Sequence, residues 1–349
     1  MPEHSYTYSD IALVPRKFST IVSRDDVDLT TRFIDTVNLS LPIIPSPMRT
    51  ICGPKMCATM SEHGLFSFMP RTHPKRLPEG VKAYEDLIES GVNTNYIGVG
   101  IEATGDFLFH FQAFREIGVT DFVIDVANGF HITVQKAVEL IQDSSSFDSS
   151  VRLITGNIAS VEGYQFLHKL GVDAVRVGIG SGSACSTSVR TGVGQGIISN
   201  LWEIQKYREE HGYDNTPKVI ADGGMKEPGD VPKALACGAD YVMGGFIFAG
   251  TNETPGEINK YKGIKYKVYA GEASYLIQEA NRHIEGEDSL VPYKGGVKYV
   301  LKEYEEGLRS SMAYMDCHTI EEMRNLPDDN IVILTPSSRF ERTPHLLVS

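Results

Sequence analysis

Residues 218–245 read KVIADGGMKEPGDVPKALACGADYVMGG, and the fold follows from this stretch. Two short apolar runs, Lys218–Ala221 and Tyr241–Met243, each lead into a glycine pair, Gly223-Gly224 and Gly244-Gly245. Between them Val231–Cys237 has a helical pattern that stops at Gly238, as helices tend to stop at glycine. Near-continuous apolar runs mark parallel strands buried on both faces. Strand, helix and strand in this order make one βαβ unit.

Outward from this unit the pattern repeats. Further strands are predicted at Leu41–Ser46, Leu65–Met69, Tyr96–Gly100, Phe122–Asp125, Val151–Thr155 and Ala174–Gly178. Helices are predicted at Lys55–His63, Val81–Glu89, Gly105–Ile117, Ile132–Ile141, Val161–Leu170, Leu201–His211 and, after the last strand, Val297–Leu308. Eight strands favour an α/β fold of the closed (β/α)8 type, the TIM barrel, over an open doubly wound sheet. Residues 1–349 read as one such domain with terminal extensions. The polar span of about 251–294, rich in Glu, Lys and Tyr, is expected to be a mobile flap without regular structure.

The 349 residues are 41% hydrophobic and 22% charged, enough for a large core without staples. Thirty-three Lys plus Arg against forty-five Asp plus Glu give a net charge of −12, which argues against nucleic-acid or anionic-membrane partners. Cysteines at 52, 57, 185, 237 and 317 form no C-x-x-C pair, and no H-E-x-x-H occurs, so zinc is not expected. No signal peptide or long apolar run is visible, and a reducing cytoplasm is the expected compartment.

Barrel active sites form at the C-terminal ends of the strands. Those loops carry Ser46-Pro47-Met48, Arg71, Asp125–Gly129, Gly156-Asn157, Gly178–Cys185, Asp222-Gly223-Gly224 and Gly244-Gly245. Cys185 ends a Gly/Ser loop whose N–H groups can favour an anion, and a thiolate attacks electron-poor carbon. A lone cysteine is more often a buried structural thiol, but this loop position points to a nucleophile. The G-x-G-x-G spacing of Gly178, Gly180 and Gly182 is not a dinucleotide fingerprint; its carbonyls suit a monovalent cation. The two glycine pairs fall at the usual phosphate corner of this barrel, and Asp222 suits a ribose diol; turns with a helix cap are the plain alternative. Arg282, His283 and Glu285 in the flap are candidate catalytic groups or a solvated face.

With these residues in view, the chain resembles the IMP dehydrogenase/GMP reductase family from about Tyr8 to its tail. The match is strongest in Gly178–Gly194, GIGSGSACSTSVRTGVG, and in the segment IADGGMKEPGDVPKALACGADYVMGG. Asp125–Gly129, DVANG, is similar to the reductase branch, as are the short flap without an Arg-Tyr pair and the lack of the paired CBS subdomain. The tail Arg342-Thr343-Pro344-His345 is similar to the dehydrogenases.

The resemblance implies that Cys185 attacks C2 of a purine nucleoside monophosphate, that ammonia leaves, and that hydride from NADPH then gives IMP. It implies that Thr187 and Glu285 handle the protons. Substrate contacts would come from Ser183, Asp222, Gly223, Gly224, Gly244, Gly245, Gly271, Glu272, Ala273, Arg282 and Gly286. For the cofactor the matching positions are Ser23, Arg24, Arg71, Asp125, Val126, Ala127, Ile179, Gly180, Ser310, Ser311, Met312 and Ala313, some supplied by a neighbour in a homotetramer. Potassium would sit at Gly180, Gly182, Cys185 and Ser188. The chain departs from the family at Arg49, Ser181, Glu272 and Ala273. The last two keep a modified or deoxy purine substrate open, beside the alternatives of an IMP dehydrogenase and a catalytically silent nucleotide sensor.

Overall fold

The computed structural model describes residues 4–71, 77–271, 274 and 286–341. From the N-terminus, β1 (Ile11–Leu13) is followed by the hairpin β2 (Thr31–Phe33) and β3 (Val37–Leu39). The alternating series then begins: β4 (Ile43–Pro45), α1 (Pro54–Glu62), β5 (Ser67–Met69), α2 (Leu77–Glu89), β6 (Ile97–Ile101) and α3 (Phe107–Glu116). It continues with β7 (Asp121–Asp125), α4 (Ile132–Gln142), β8 (Arg152–Ile158), α5 (Val161–Lys169) and β9 (Ala174–Val177). A short helix α6 (Thr187–Thr191) precedes α7 (Ile197–His211), β10 (Lys218–Asp222), α8 (Asp230–Ala236) and β11 (Tyr241–Gly244).

All neighbours in the order β4-β11-β10-β9-β8-β7-β6-β5 pair in parallel, and β4 packs against β5. The result is a nearly closed (β/α)8 barrel with no inserted subdomain among the described residues. All eight predicted apolar runs are its strands, with ends within three residues of the expected positions.

Strand alternation sorts side chains into two cores. On β10, Val219 and Ala221 face outward into the layer shared with the helices, while Ile220 faces the barrel interior. The interior core joins Ile44, Phe68, Val123, Ile154, Ala174, Ile220, Tyr241 and Met243 to Phe33, Ile34 and Leu39 of the β2–β3 hairpin. This hairpin plugs the N-terminal end of the barrel. The Phe33 ring lies 4.0 Å from that of Phe66, and the Tyr241 hydroxyl accepts from Ile34 N–H and donates to the Arg32 carbonyl. Function is thereby left to the opposite end.

After β11 the span expected to lack regular structure contains an antiparallel sheet of β12 (Asn259–Tyr261), β13 (Ile264–Ala270) and β14 (Asp288–Pro292). Lys262 and Gly263 form its two-residue turn with φ of 49° and 82°, the double positive φ that a tight hairpin requires. The alternation Ile264, Tyr266, Val268 with lysines between was the strand signal that overall polarity obscured. The buried Lys267 ties this sheet to the barrel, its ammonium donating to the carbonyls of Thr251 and Thr254. The long helix α9 (Val297–Met315) then packs Val297, Val300, Leu301, Tyr304, Leu308, Met312 and Met315 inward, so it runs beyond the predicted Leu308. It is followed by α10 (Ile320–Arg324), β15 (Ile331–Ile333) and α11 (Pro336–Glu341), with β15 pairing antiparallel to β1. None of the described helices is long and apolar enough to cross a membrane.

Because Phe33 is fully buried, Phe33→Ala is expected to cost about 3–5 kcal/mol. Urea unfolding measures this, and a loss under about 1 kcal/mol would show that the hairpin is not a structural plug.

Candidate active site

The strand ends and their loops enclose an open-mouthed cavity of about 230 Å³. Ser46, Pro47 and Met48 come from the end of β4, Arg71 follows β5, and Asp125, Val126 and Ala127 end β7. Asn157, Arg176, the Gly178–Cys185 loop, Asp222-Gly223-Gly224 and Gly244-Gly245 complete the wall, with Thr187 beside them. Tyr269, Gly271 and Gly286 arrive from the flap sheet.

The floor is a chain of buried charges. Arg176 on β9 faces the interior with 6% of its surface exposed. Its guanidinium donates to Asp125 Oδ1 at 2.5 Å and to Asp222 Oδ2 at 2.7 Å and 3.1 Å. Asn157 Nδ2 donates to the same Asp222 Oδ2 at 2.8 Å and to the Gly178 carbonyl at 2.7 Å. Arg71 stands 3.7 Å from the other Asp125 oxygen and donates to the Asp125 carbonyl at 3.2 Å. Burial pushes the Asp125 carboxyl up, but Arg176 and Arg71 outweigh it and hold its pKa below the usual value. Burial also opposes the Arg176 cation, and Asp222 with Asp125 again outweighs it, raising that pKa. A side chain at Gly156 would place its Cβ 2.6 Å from Arg176 Cβ, so only glycine lets β8 approach this residue.

Cys185 is half-buried at the cavity wall. Its N–H donates to the Gly182 carbonyl at 3.0 Å, and its thiol donates to Thr187 Oγ1 at 3.2 Å. Ser181, one of the family departures, has its hydroxyl on the Asp222 carbonyl at 3.0 Å, fastening the cysteine loop to β10. The flap root is fastened there too: Cys185 bridges Gly286 antiparallel, and Glu287 N–H donates to the Ala184 carbonyl at 2.9 Å. Arg190 of α6 pairs with the exposed Glu287 at 2.9 Å.

Gly223 and Gly224 both have positive φ, 85° and 81°, a backbone conformation that side chains rarely adopt. Gly244 and Gly245 end the neighbouring strand β11, beside them on the cavity wall, and Tyr269 Oη stands 3.1 Å from where a Gly245 Cβ would be. The Tyr269 hydroxyl makes no hydrogen bond among the described residues, and burial pushes its pKa up, with Asp222 and Cys185 adding to the effect.

Of the residues predicted from sequence, Cys185, Thr187, Ser183, Asp222, Gly223, Gly224, Gly244, Gly245, Gly271 and Gly286 line this cavity together. So do Arg71, Asp125, Val126, Ala127, Ile179, Gly180 and Gly182. Ser188 lies behind Gly180, where a Gly180 Cβ would come within 2.9 Å of it. Ser23 and Arg24 lie on the N-terminal segment that runs along α9, which carries Ser310, Ser311, Met312 and Ala313. The contact is made by Arg309 to the carbonyls of Arg24 and Val27 and by Ser19 to that of Ala313. This second group does not line the cavity of its own chain. Glu272, Ala273, Arg282, His283, Glu285 and the tail Arg342–His345 fall outside the described residues. Arg176 and Tyr269 were not anticipated. The available signal for Arg176 was a lone cation inside the otherwise apolar strand AVRV. Among the described residues no cluster of three His, Cys, Asp or Glu side chains could hold a metal ion.

Asp125 is more acidic folded than unfolded, so its stabilisation is complete above the unfolded carboxyl pKa of about 4 and fades as pH falls through the lower folded value. Asp125→Asn leaves Arg176 with one carboxylate, so it is expected to cost about 3–5 kcal/mol at pH 7 and to flatten the acid limb of the stability profile. Urea midpoints measured from pH 3 to pH 8 check both.

The family model described as the IMP dehydrogenase / GMP reductase domain matches residues 5–345. A GMP reductase of Lactobacillus gasseri is 34% identical over 310 residues, covering 89% of this chain and 90% of that protein. A GMP reductase of Clostridium acetobutylicum is 32% identical over 325 residues, covering 93% and 95%. One of Latilactobacillus sakei is 31% identical over 324 residues, covering 92% and 94%. A barrel with this cavity, matched over nearly its whole length, belongs to the IMP dehydrogenase/GMP reductase family.

Proposed function

We propose that the protein is a GMP reductase, converting GMP to IMP and ammonia with NADPH through a covalent intermediate on Cys185. The observation that carries this reading is one cavity holding a thiol, its Thr187 partner, a carboxylate at Asp222 and the two glycine pairs. The names of the relatives support the choice of reaction.

The Asp222 carboxylate accepts the ribose hydroxyls, and the turns at Gly223-Gly224 and Gly244-Gly245 take the phosphate, with the Gly223 N–H itself spent on the Met243 carbonyl at 3.0 Å. Tyr269 offers its hydroxyl to that phosphate. Cys185 gives its proton toward Thr187 and its sulfur bonds to C2 of the purine; the C2–amino bond breaks, and ammonia leaves after taking protons from the Thr187–Glu285 pair. The resulting thioimidate accepts hydride at C2, and the C2–S bond breaks to release IMP and restore the thiolate. NADPH supplies that hydride when bound. The side of the cavity formed by Arg71, Asp125, Val126 and Ala127 fits a nicotinamide, with an apolar wall beside groups that can hydrogen-bond a carboxamide.

Gly271 and Gly286 both line the cavity and Gly286 bridges Cys185; Arg282 and Glu285, which lie between the two glycines in sequence, are the flap groups assigned to the base and to the protons. Hard oxygen donors suit potassium, and the loop carbonyls of Gly180, Gly182 and Cys185, with Ser188 behind them, supply such donors. Ser23, Arg24 and Ser310–Ala313, assembled away from their own cavity, serve a neighbour's cofactor site in a homotetramer.

GMP with NADPH is expected to yield one ammonia per NADPH oxidised, and IMP with NAD no xanthosine monophosphate. Steady formation of that product would make the enzyme a dehydrogenase; activity on a different purine monophosphate alone would change the substrate and keep the mechanism. Cys185→Ala is expected to lower turnover by at least about a thousandfold while calorimetry still detects nucleotide binding.

A Cβ at Gly245 would meet Met48 Sδ at 2.8 Å and Tyr269 Oη at 3.1 Å. Gly245→Val is therefore expected to raise the KM for GMP at least about tenfold, whereas equal reaction of guanosine and GMP would remove the phosphate corner.

A further inference from the structure

The two oxygens of Asp222 are treated unequally. Oδ2 receives Nε and one terminal nitrogen of Arg176 at 3.1 Å and 2.7 Å, and Asn157 Nδ2 at 2.8 Å. Three donors saturate that oxygen. Among the described residues Oδ1 has only the Ser46 hydroxyl, at 3.4 Å, beyond the range of a good O–H···O bond. The residue is 7% exposed and lines the cavity, so Oδ1 is the carboxylate oxygen with capacity left for a donor there.

Arg176 sets this asymmetry. Its remaining bond, to Asp125 Oδ1, anchors the far side of the guanidinium on β7, so the plane cannot swing away from Asp222. A planar fork can grip two carboxylates at once; a lysine ammonium on a flexible stem cannot hold the same plane. We propose that Arg176 is a positioning residue that makes this pocket select ribonucleotides over deoxyribonucleotides, by saturating Asp222 Oδ2 and leaving Oδ1 to the sugar hydroxyls. The proposal rests on the reading of the cavity as a nucleotide site. A sugar lacking the hydroxyl that Oδ1 accepts leaves a buried charged oxygen short of a donor, which is the kind of deficit that gives strong discrimination. Once Arg176 no longer holds it, Asp222 can turn and share its oxygens with Asn157, Ser46 and water, and the missing hydroxyl matters less.

The test compares dissociation constants of GMP, 2′-deoxy-GMP and 3′-deoxy-GMP by calorimetry without cofactor, together with KM and kcat for each. Wild-type protein is expected to prefer GMP at least about tenfold over one of the deoxy forms, the size of a lost hydrogen bond to a charged group, in Kd and KM rather than in kcat. Arg176→Lys is expected to shrink that preference to about threefold or less by weakening GMP binding while the deoxy form binds nearly as before. A merely structural role would weaken all three nucleotides alike.

Should Arg176→Lys not fold, Asn157→Ala removes one Oδ2 donor without changing charge and is expected to lower the preference about twofold to threefold. An unchanged preference in a folded Arg176→Lys protein, or in Asn157→Ala where that is the variant measured, overturns the proposal. Equal binding of all three nucleotides by wild-type protein overturns it while leaving the nucleotide site standing. Wild-type protein that binds none of them overturns the nucleotide site itself, and the proposal with it.

Discussion

Arg176 carries a guanidinium into the barrel interior and holds it between carboxylates that arrive from two other strands. Such a group is tolerable only if every face finds a partner, because an unpaired buried cation is expensive. Asp125 from β7 and Asp222 from β10 provide them, with Asn157 and Arg71 extending the chain at either end. The shape of the cavity follows from that requirement. Gly156 must be glycine to admit Arg176, Ser181 fastens the cysteine loop to the Asp222 carbonyl, and Gly178 offers its own carbonyl to Asn157. The wall formed by Arg71 and Asp125 and the wall formed by Asn157 and Asp222 are thus parts of one electrostatic object.

The division of labour between the ends of the barrel has the same origin. Inward positions in the middle of the strands, such as Val123, Ile154 and Ile220, are apolar and are packed on by the Phe33 hairpin, whereas the last inward positions are Asp125, Arg176 and Asp222. Stability therefore concentrates at one end and chemistry at the other, the usual partition in this architecture. The flap sheet adds a second constraint. Gly271 lies beside the Ala184 carbonyl, Gly286 bridges Cys185, and Glu287 N–H donates to Ala184, so both inner ends of the sheet adjoin the cysteine loop.

Much of this can be read from the chain alone, and the reason is physical. A parallel strand covered on both faces must be apolar throughout, so runs such as Lys218–Ala221 and Tyr241–Met243 announce themselves whatever they pair with. Glycine pairs and the Cys185 loop are equally visible because close backbone approach restricts the residue type. Partnership across the barrel is not encoded locally. Arg176 reads as a solvent-facing charge until Asp125 and Asp222 are known to converge on it, and Tyr269 reads as one more tyrosine in a polar flap. The β12–β14 sheet was hidden for a related reason: its alternation is carried by Ile, Tyr and Val between lysines, so mean polarity masks the period.

A crystal structure of the Cys185→Ala protein with GMP bound bears most directly on these relations, since it places sugar, phosphate and base at once. The ribose hydroxyls are expected on Asp222 Oδ1, with Oδ2 still held by Arg176 and Asn157. The phosphate is expected between Gly223-Gly224 and Gly244-Gly245, with C2 of the base within about 4 Å of the methyl group that replaces the thiol side chain, close to reacting distance. A nucleotide whose sugar lies away from Asp222, or whose C2 faces away from position 185, would contradict both the assignment of the site and the chemistry built on it.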